Sequence, residues 1–247
     1  MQPPMFLADA AALGDAGTDR IRLAGAEGRH AAAVRRLRLG ERVDLTDGAG
    51  SVAACVVTAA GADWLDLAVT GRGYVEPPAP RLVVVQALAK GDRGQHAVEA
   101  MTEVGVDEIV PWAASRSVVE WRGERGSKAL QRWRSVAREA TKQARRPWLP
   151  VVCEPASTPE VTDRLARAEL AVVLHGAGSM LLAELELPPR GEVVAVVGPE
   201  GGLTDEEVAR FVDVGAVPCR LGPTVLRTST AGVAAAAVLL AGSGRWS

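Results

Sequence analysis

An arginine stands among three hydroxyl-bearing residues at the start of an apolar, alanine-rich stretch. The segment 221–232 reads LGPTVLRTSTAG, with Arg227 followed by Thr228, Ser229 and Thr230. One of these hydroxyls can cap the helix predicted after them, which would be a purely structural role. A cap does not account for Arg227, because a guanidinium beside a buried helix start needs an anion or a carbonyl group to bind. The segment is therefore a candidate for stabilising negative charge on a ligand.

A second candidate is the glycine-rich loop GPEGG at 198–202, which follows the apolar run 193–197. Gly198, Gly201 and Gly202 allow the backbone to turn sharply and to approach a ligand closely. A loop between a buried strand and a helix lies at the carboxyl edge of a parallel sheet, where ligands bind in open α/β folds. A plain strand–helix turn is the alternative.

The ligand expected at this loop is neutral or cationic. The loop has neither the Gly-Lys-Ser/Thr of a phosphate-binding loop nor the GxGxxG spacing of a dinucleotide fold. Thr204 and Glu207 predict a capping box at the start of the next helix. Asp205, Glu206 and Glu207 open that helix, and their charges would repel a pyrophosphate.

The elements that must position these loops follow from the hydrophobic pattern, which divides the chain at a proline-rich linker, residues 74–80. Residues 1–73 carry short alternating runs separated by turn residues, typical of a small β-barrel. Residues 81–247 alternate apolar strands with helices, typical of a mostly parallel sheet with helices on both faces. The predicted strands are 42–46, 51–58, 64–70, 82–87, 108–111, 171–174, 193–197 and 219–221.

The composition is that of a globular protein, with 48% hydrophobic and 23% charged residues, and it argues against disorder. The three cysteines are far apart and form no CxxC pair. Their spacing argues against a zinc site and a disulfide framework, and it fits a reducing compartment. The sequence shows no signal-peptide pattern and no apolar run of the ~18 residues that a membrane span needs. We therefore expect a cytoplasmic protein with no metal and no membrane partner.

The two loops together carry a family resemblance. GPEGG at 198–202 paired with LGPTVLRTSTA at 221–231 resembles the RsmE family of ribosomal RNA uridine-N3 methyltransferases, within the SPOUT class. Further matches are Lys90-Gly-Asp92, the segment 102–111 and, in the first domain, the segment 30–40. The resemblance covers most of the chain, with several motifs in the family's order.

The resemblance implies a PUA-like RNA-binding domain over 1–73 and a SPOUT methyltransferase domain, with a trefoil-knotted parallel sheet, over 81–247. It also implies a homodimer that acts on 16S ribosomal RNA within the small ribosomal subunit and uses S-adenosylmethionine. The cofactor would lie among three loops. The cofactor-binding residues implied are Leu174, His175, Gly176, Gly198, Pro199, Glu200, Gly201, Gly202, Leu221, Gly222 and Leu226.

The same resemblance implies catalytic roles for Arg227, Thr228 and Ser229. Many members of the family carry a glutamate where this chain has Ser229, so the base that removes the uracil imide proton stays unassigned. Arg227 would stabilise the negative charge that develops on the uracil oxygens. Clamping a phosphate or pairing with Glu200 is the alternative role for this arginine.

Basic residues supply a candidate grip on RNA phosphates. On the helix predicted at 128–145 they recur every three or four positions and form one stripe. A solvated surface is the alternative interpretation of such a stripe. The predicted RNA-binding residues are Arg29, Arg35, Arg36, Arg38, Arg134, Arg138, Lys142 and Arg145.

Other functions stay open. A SPOUT-type enzyme acting on another RNA or another base would have similar cofactor loops. Ser229 also allows an RNA-binding protein whose methyltransferase domain has lost its activity, and such a protein would not bind S-adenosylmethionine. A nicotinamide dehydrogenase is disfavoured by the missing dinucleotide fingerprint and by the acidic helix start.

Overall fold

The computed structural model describes residues 3–15 and 17–246. The chain forms two compact units. The N-terminal unit comprises Met1–Pro77 and Thr141–Leu149, and the C-terminal unit comprises Pro78–Ala140 and Pro150–Ser247. The sequence predicted two contiguous domains, 1–73 and 81–247. It did not predict that residues 141–149 belong with the first of them.

The N-terminal unit is built on a curled five-stranded sheet in the order β1-β3-β4-β5-β2. Only β1 and β3 are parallel, and the other neighbours are antiparallel. Two register shifts between β4 and β5 add local twist to the sheet. The elements are β1 (Met5–Leu7), α1 (Ala10–Gly14), β2 (Arg20–Leu23), α2 (Gly25–Arg29) with a π-helical turn at His30–Val34, β3 (Arg42–Thr46), β4 (Ser51–Ala60) and β5 (Leu65–Tyr74).

Alternation along these strands gives the unit one apolar core. Val43 and Leu45 on β3 and Leu65 and Leu67 on β5 are fully buried, while intervening residues are more exposed. The predicted strands at 42–46, 51–58 and 64–70 are confirmed with small differences in length. The strand β5 runs to Tyr74 and so takes in the first residue of the predicted linker.

The C-terminal unit is a seven-stranded sheet in the order β10-β12-β9-β11-β6-β7-β8, and every neighbouring pair is parallel. The strands are β6 (Arg81–Ala87), β7 (Glu108–Trp112), β8 (Val151–Val152), β9 (Leu170–Leu174), β10 (Met180–Leu181), β11 (Glu192–Val197) and β12 (Val217–Arg220). The helices are α3 (Arg93–Val104), α4 (Gly123–Gln143), α5 (Thr158–Leu165), α6 (Asp205–Asp213) and α7 (Thr228–Gly242), with a 3₁₀ turn at Leu182–Glu184.

Both faces of this sheet are covered, so its central strands are mostly apolar. Val84 and Ala195 belong to the core cluster formed with α3, α4 and α7. Their neighbours Val85 and Val196 belong to the cluster on the opposite face, formed with α5 and α6. The predicted parallel sheet with helices on both faces is confirmed.

The helix α6 begins where the sequence predicts. The Glu207 amide donates to Thr204 Oγ1 at 3.1 Å, and the Thr204 amide donates to the Glu207 carboxylate at 2.9 Å, which completes the capping box. The helix start therefore fixes the end of the 198–202 loop that leads into it.

Candidate functional site

The loops that follow β9, β11 and β12 meet at the carboxyl edge of the large sheet and enclose a cavity of about 720 Å³. All the residues predicted to bind a cofactor line it except Gly201. Those in the wall are Leu174, His175, Gly176, Gly198, Pro199, Glu200, Gly202, Leu221, Gly222 and Leu226. At Gly201 an added Cβ would lie 3.1 Å from the Arg116 Cβ, so this glycine allows a close approach of Arg116 to the loop.

Backbone groups hold the first loop against the end of β12, where the third loop begins. The His175 amide donates to the Cys219 carbonyl at 2.8 Å, and the Gly178 amide donates to the His175 carbonyl at 3.0 Å. Gly176 and Gly222 line the cavity, and no heavy atom lies within 4 Å of a Cβ built on either of them. The two glycines therefore leave open space in which a ligand can contact the backbone.

Arg227 lines the cavity with an exposed side chain at the N-cap position of α7. Its guanidinium has no hydrogen-bond or ion-pair partner within residues 3–15 and 17–246. The suggested pairing with Glu200 is wrong, because Glu200 pairs instead with Arg93 at 2.9 Å and accepts from the Lys90 amide at 3.3 Å. Arg227 is thus available to a ligand.

Glu200 is held ionised in the cavity wall. Partial burial acts to raise the pKa of this carboxyl, but hydrogen bonds from backbone amides and from Arg93 outweigh it, and the pKa is lowered. The same wall carries Arg93, Arg116, Arg220 and Arg227, so its charges do not by themselves select the neutral or cationic ligand expected from the sequence.

Thr228 is buried, and its hydroxyl group is fully used inside the protein. The hydroxyl donates to the Gly198 carbonyl at 2.8 Å and accepts from Gln86 Nε2 at 3.1 Å. Its single proton is therefore committed to the Gly198 carbonyl, although Thr228 lines the cavity, and its evident role is to tie α7 to the loop after β11. The catalytic role suggested for Thr228 stays a prediction.

Two expectations for this segment need correction. No side chain caps α7: Arg227 occupies the N-cap position without a capping bond, and the Thr230 hydroxyl donates back to the Arg227 carbonyl. Ser229 is half-buried and does not line the cavity. A hydroxyl next to a helix start is equally suited to a cap and to a tertiary bond, and only the fold decides between them.

Three further arginines in the cavity wall were not predicted. Arg93 follows the Lys90-Gly-Asp92 motif and reaches Glu200, so that motif was the signal for it. Arg116 donates to the Leu203 carbonyl at 3.1 Å, and Arg220 donates to the Gly178 carbonyl at 3.3 Å. Nothing in the local sequence distinguishes the last two, because each acts on the backbone of a distant loop.

Comparison with known proteins decides the family. A model of the RNA methyltransferase domain matches residues 76–240, and a model of the RNA methyltransferase PUA domain matches residues 23–69. The ribosomal RNA small subunit methyltransferase E of Mycobacterium bovis is 43% identical over 226 residues, which are 90% of this chain and 86% of that protein. The chain belongs to the ribosomal RNA small subunit methyltransferase E family.

Solved structures agree with this membership. The methyltransferase E of Neisseria gonorrhoeae, solved with S-adenosylmethionine bound, is 25% identical and superposes with a TM-score of 0.85 over 97% of this chain and 98% of its own. A protein from Legionella pneumophila, solved with the same cofactor, is 26% identical with a TM-score of 0.85 over 98% of each chain. The resemblance, the fold class and the class of enzyme predicted from the sequence are confirmed.

The basic residues predicted to contact RNA in the first domain lie on one exposed stretch of the methyltransferase E chain. Arg29, Arg35, Arg36 and Arg38 are all exposed; Arg29 ends α2, and the other three follow the π-helical turn. Arg36 has a φ of 55°, an uncommon conformation for a residue with a side chain. The stretch is thus a compact group of cations open to solvent, as a phosphate contact requires.

On α4 the predicted stripe is only partly exposed. Arg138 is exposed, whereas Arg134 donates to the Val152 carbonyl at 3.1 Å and pairs with Glu154 at 2.9 Å. Arg145 is exposed but lies beyond the end of the helix, with a φ of 53°. Helical spacing predicted one continuous stripe, but the helix ends at Gln143, before the last predicted residue of the stripe, Arg145.

The prediction that Lys142 contacts RNA is wrong. Its side chain is 3% exposed and pairs at 3.0 Å with Glu27, which is 13% exposed. Both residues belong to the N-terminal unit, where the segment 141–149 packs against α2 and the β3–β4 turn. Spacing along one helix cannot show that its last turn is covered by a distant part of the chain, and this is why the prediction failed.

The described residues contain no cluster of three or more His, Cys, Asp or Glu side chains suited to a metal ion. None of their helices has the length and apolar character needed to cross a bilayer.

Proposed function

We propose that this protein transfers a methyl group from S-adenosylmethionine to N3 of a uridine in 16S ribosomal RNA of the small subunit. The observation that carries the proposal is the cavity among the three loops, on whose rim stands Arg227, which has no hydrogen-bond or ion-pair partner among the described residues. Membership of the methyltransferase E family and the cofactor bound in its solved relatives support the same reaction.

The residues of the cavity fit the cofactor. Gly176 and Gly222 leave open space along the backbone, where peptide groups can bond to adenine, and Leu221 and Leu226 offer apolar surface. When bound, S-adenosylmethionine supplies an electrophilic methyl group on sulfur.

The chain's own contribution is to position the uracil and to stabilise charge. In the transfer, a bond forms between uracil N3 and the methyl carbon, the bond from that carbon to sulfur breaks, and the N3 proton leaves to solvent. Negative charge develops on the uracil oxygens as the proton leaves. Arg227 donates hydrogen bonds to that charge from the cavity rim.

The RNA must present an unstacked uridine, because N3 is engaged when the base is paired. The exposed Arg29, Arg35, Arg36 and Arg38 would hold the surrounding phosphates, with Arg134, Arg138 and Arg145 as further contacts. In this proposal residues 1–73 and the segment 141–149 form the RNA-binding domain, 74–80 the linker, and the rest of 81–247 the methyltransferase domain.

A homodimer completes the proposal. The helix α7 is apolar on every side, and such a helix is stable when it is covered on every side. Its outer residues Val233 and Val238 are only half-buried, and the nearby Val225 is 94% exposed. A second copy of the chain would cover this surface. The ribosomal substrate, together with three free cysteines, supports a cytoplasmic location.

The test is methyl transfer to small ribosomal subunits that lack the modification, with labelled S-adenosylmethionine and identification of the nucleosides by mass spectrometry. Labelled 3-methyluridine is the expected product. Cofactor binding without label on subunits or free 16S RNA would point to another RNA. Absence of both would indicate an RNA-binding protein that has lost its activity.

A further inference from the structure

Gln86 is a fully buried polar residue at the carboxyl end of β6, in the middle of the large sheet. Its side chain does not line the cavity. Burying an amide is costly unless it forms hydrogen bonds. Its Nε2 lies 3.1 Å from the Ala87 carbonyl oxygen and 3.4 Å from that of Thr228, and two carbonyl oxygens require the donating nitrogen at this place. The orientation of the amide is thus fixed.

The same nitrogen donates to Thr228 Oγ1 at 3.1 Å, and that hydroxyl donates to the Gly198 carbonyl at 2.8 Å. The bonds form a directed chain from β6, through the first residue of α7, to the loop after β11. Gly198 lines the cavity, and Thr228 follows Arg227 directly. One buried amide is therefore connected by hydrogen bonds to two of the three cavity loops.

Glycine at position 232 lets α7 come close enough to β6 for this chain of bonds. A Cβ at Gly232 would lie 2.8 Å from the Met101 Sδ and 3.2 Å from the Gln86 Oε1. The Oε1 itself has no hydrogen-bond partner among the described residues. The amide is thus held through its nitrogen alone, and apart from the Ala87 carbonyl the acceptors that offset its burial both belong to Thr228.

We infer that Gln86 is a positioning residue: through the Thr228 hydroxyl it holds the Gly198–Gly202 loop and the Arg227 segment at the separation that S-adenosylmethionine requires. The inference rests on the proposed function, because it takes the cavity as the cofactor site. It assigns to Gln86 a role in cofactor affinity, beyond filling space in the core.

The experiment measures S-adenosylmethionine affinity by calorimetry, together with the midpoint of thermal unfolding. Gln86→Met keeps the length of the side chain and removes the amide, and Thr228→Val removes the hydroxyl. We expect each to weaken cofactor binding about tenfold, and the double variant to lose no more than either one, because both break one chain. Thr228→Ser keeps the hydroxyl and should return the affinity to within about threefold of the wild type.

Val84→Ala is the matched control, since it leaves a small cavity in the same buried strand but touches none of these bonds. It should lower the unfolding midpoint and leave cofactor affinity unchanged. Wild-type affinity in Gln86→Met would overturn the inference alone, whatever Thr228→Val shows, as would a double variant whose loss is the product of the single losses. Should Gln86→Met not fold, Gln86→Leu, which also removes the amide, takes its place in the comparison. A wild type that does not bind S-adenosylmethionine would overturn the cofactor proposal as well.

Discussion

The Glu200 carboxylate pairs with Arg93 at 2.9 Å, so the nearest predicted counter-charge for Arg227 is already engaged. Arg227 stays on the cavity rim without an ion-pair partner among residues 3–15 and 17–246. A cation kept free beside a carbonyl-rich cavity is placed to meet charge that appears only during a reaction. The two arginines therefore differ in role: Arg93 is paired with Glu200, and Arg227 is available to a ligand.

Replacing Arg227 with alanine should therefore reduce the rate of methyl transfer about 100- to 1000-fold, the usual cost of losing one such donor. Affinity for S-adenosylmethionine should stay within about threefold, because the arginine acts on the uracil. Single-turnover rates and calorimetry measure the two effects, with Arg190→Ala as an exposed arginine outside the cavity. Wild-type turnover in Arg227→Ala would remove the proposed role.

Changing Arg35, Arg36 and Arg38 together to alanine should weaken RNA binding most at low salt. Each lost phosphate contact lowers the slope of log K against log salt concentration by roughly 0.7–0.9, so a reduction of about 2 is expected. Binding titrations at several salt concentrations measure the slope, and Arg190→Ala is again the control. An unchanged slope would mean that these exposed arginines face solvent and not RNA.

Lys142→Met should destabilise the protein instead of specifically weakening RNA binding. Removing the lysine leaves the Glu27 carboxylate buried without its 3.0 Å partner, which costs about 3–5 kcal/mol for pairs of this kind. Chemical denaturation measures the free energy of unfolding. Arg138→Ala on the exposed face of α4 should change it by less than about 0.5 kcal/mol. A stable Lys142→Met protein with lost RNA affinity would support the original prediction from the sequence.

Glu108 predicts a pH dependence of stability. Burial acts to raise the pKa of this carboxyl, but the Cys153 thiol and the charges of Arg164 and Arg81 outweigh it, so the pKa lies below its ordinary value of 4.5. A lowered pKa contributes stability that is complete above pH 4.5 and is lost as the pH falls through the folded-state pKa.

Glu108→Gln should accordingly cost about 3 kcal/mol at pH 7, and the difference from wild type should shrink as the pH falls below about 4.5. Denaturation curves at pH 7, 5 and 3.5 give the comparison. Glu124→Gln, on an exposed i,i+4 pair of α4, should show almost no cost at any pH. A constant cost for Glu108→Gln down to pH 3.5 would contradict the ionic origin of its effect.

The sequence predicts those parts of the fold that local pattern controls. The run 193–197 is apolar on both faces of a strand, and the pair Thr204–Glu207 starts a helix, so β11 and α6 follow directly. The glycines of the cavity were also predicted, because the conformational freedom of a glycine backbone is needed where the chain turns or approaches a ligand. Strands β1 and β2 were missed because each is only three or four residues long.

The features that could not be predicted from the sequence depend on which distant segments of the chain come into contact. Lys142 looks like the next member of an exposed stripe until the segment 141–149 is seen against Glu27. Gln86 gives no sign that its amide reaches Thr228, 142 residues further along the chain. Burial and long-range partners of polar side chains are properties of the tertiary fold, and the spacing of residues along one element does not contain them.

The most direct measurement tests whether filling the cavity abolishes methyl transfer. Gly222→Leu adds a side chain into open space within the cavity, and Gly14→Leu adds the same side chain at an open, exposed glycine of α1. All three proteins are incubated with labelled S-adenosylmethionine and unmodified small subunits, and 3-methyluridine is quantified. We expect label in 3-methyluridine from the wild type and from Gly14→Leu, and none from a folded Gly222→Leu. Equal product from Gly222→Leu, or label in a different nucleoside, would contradict it.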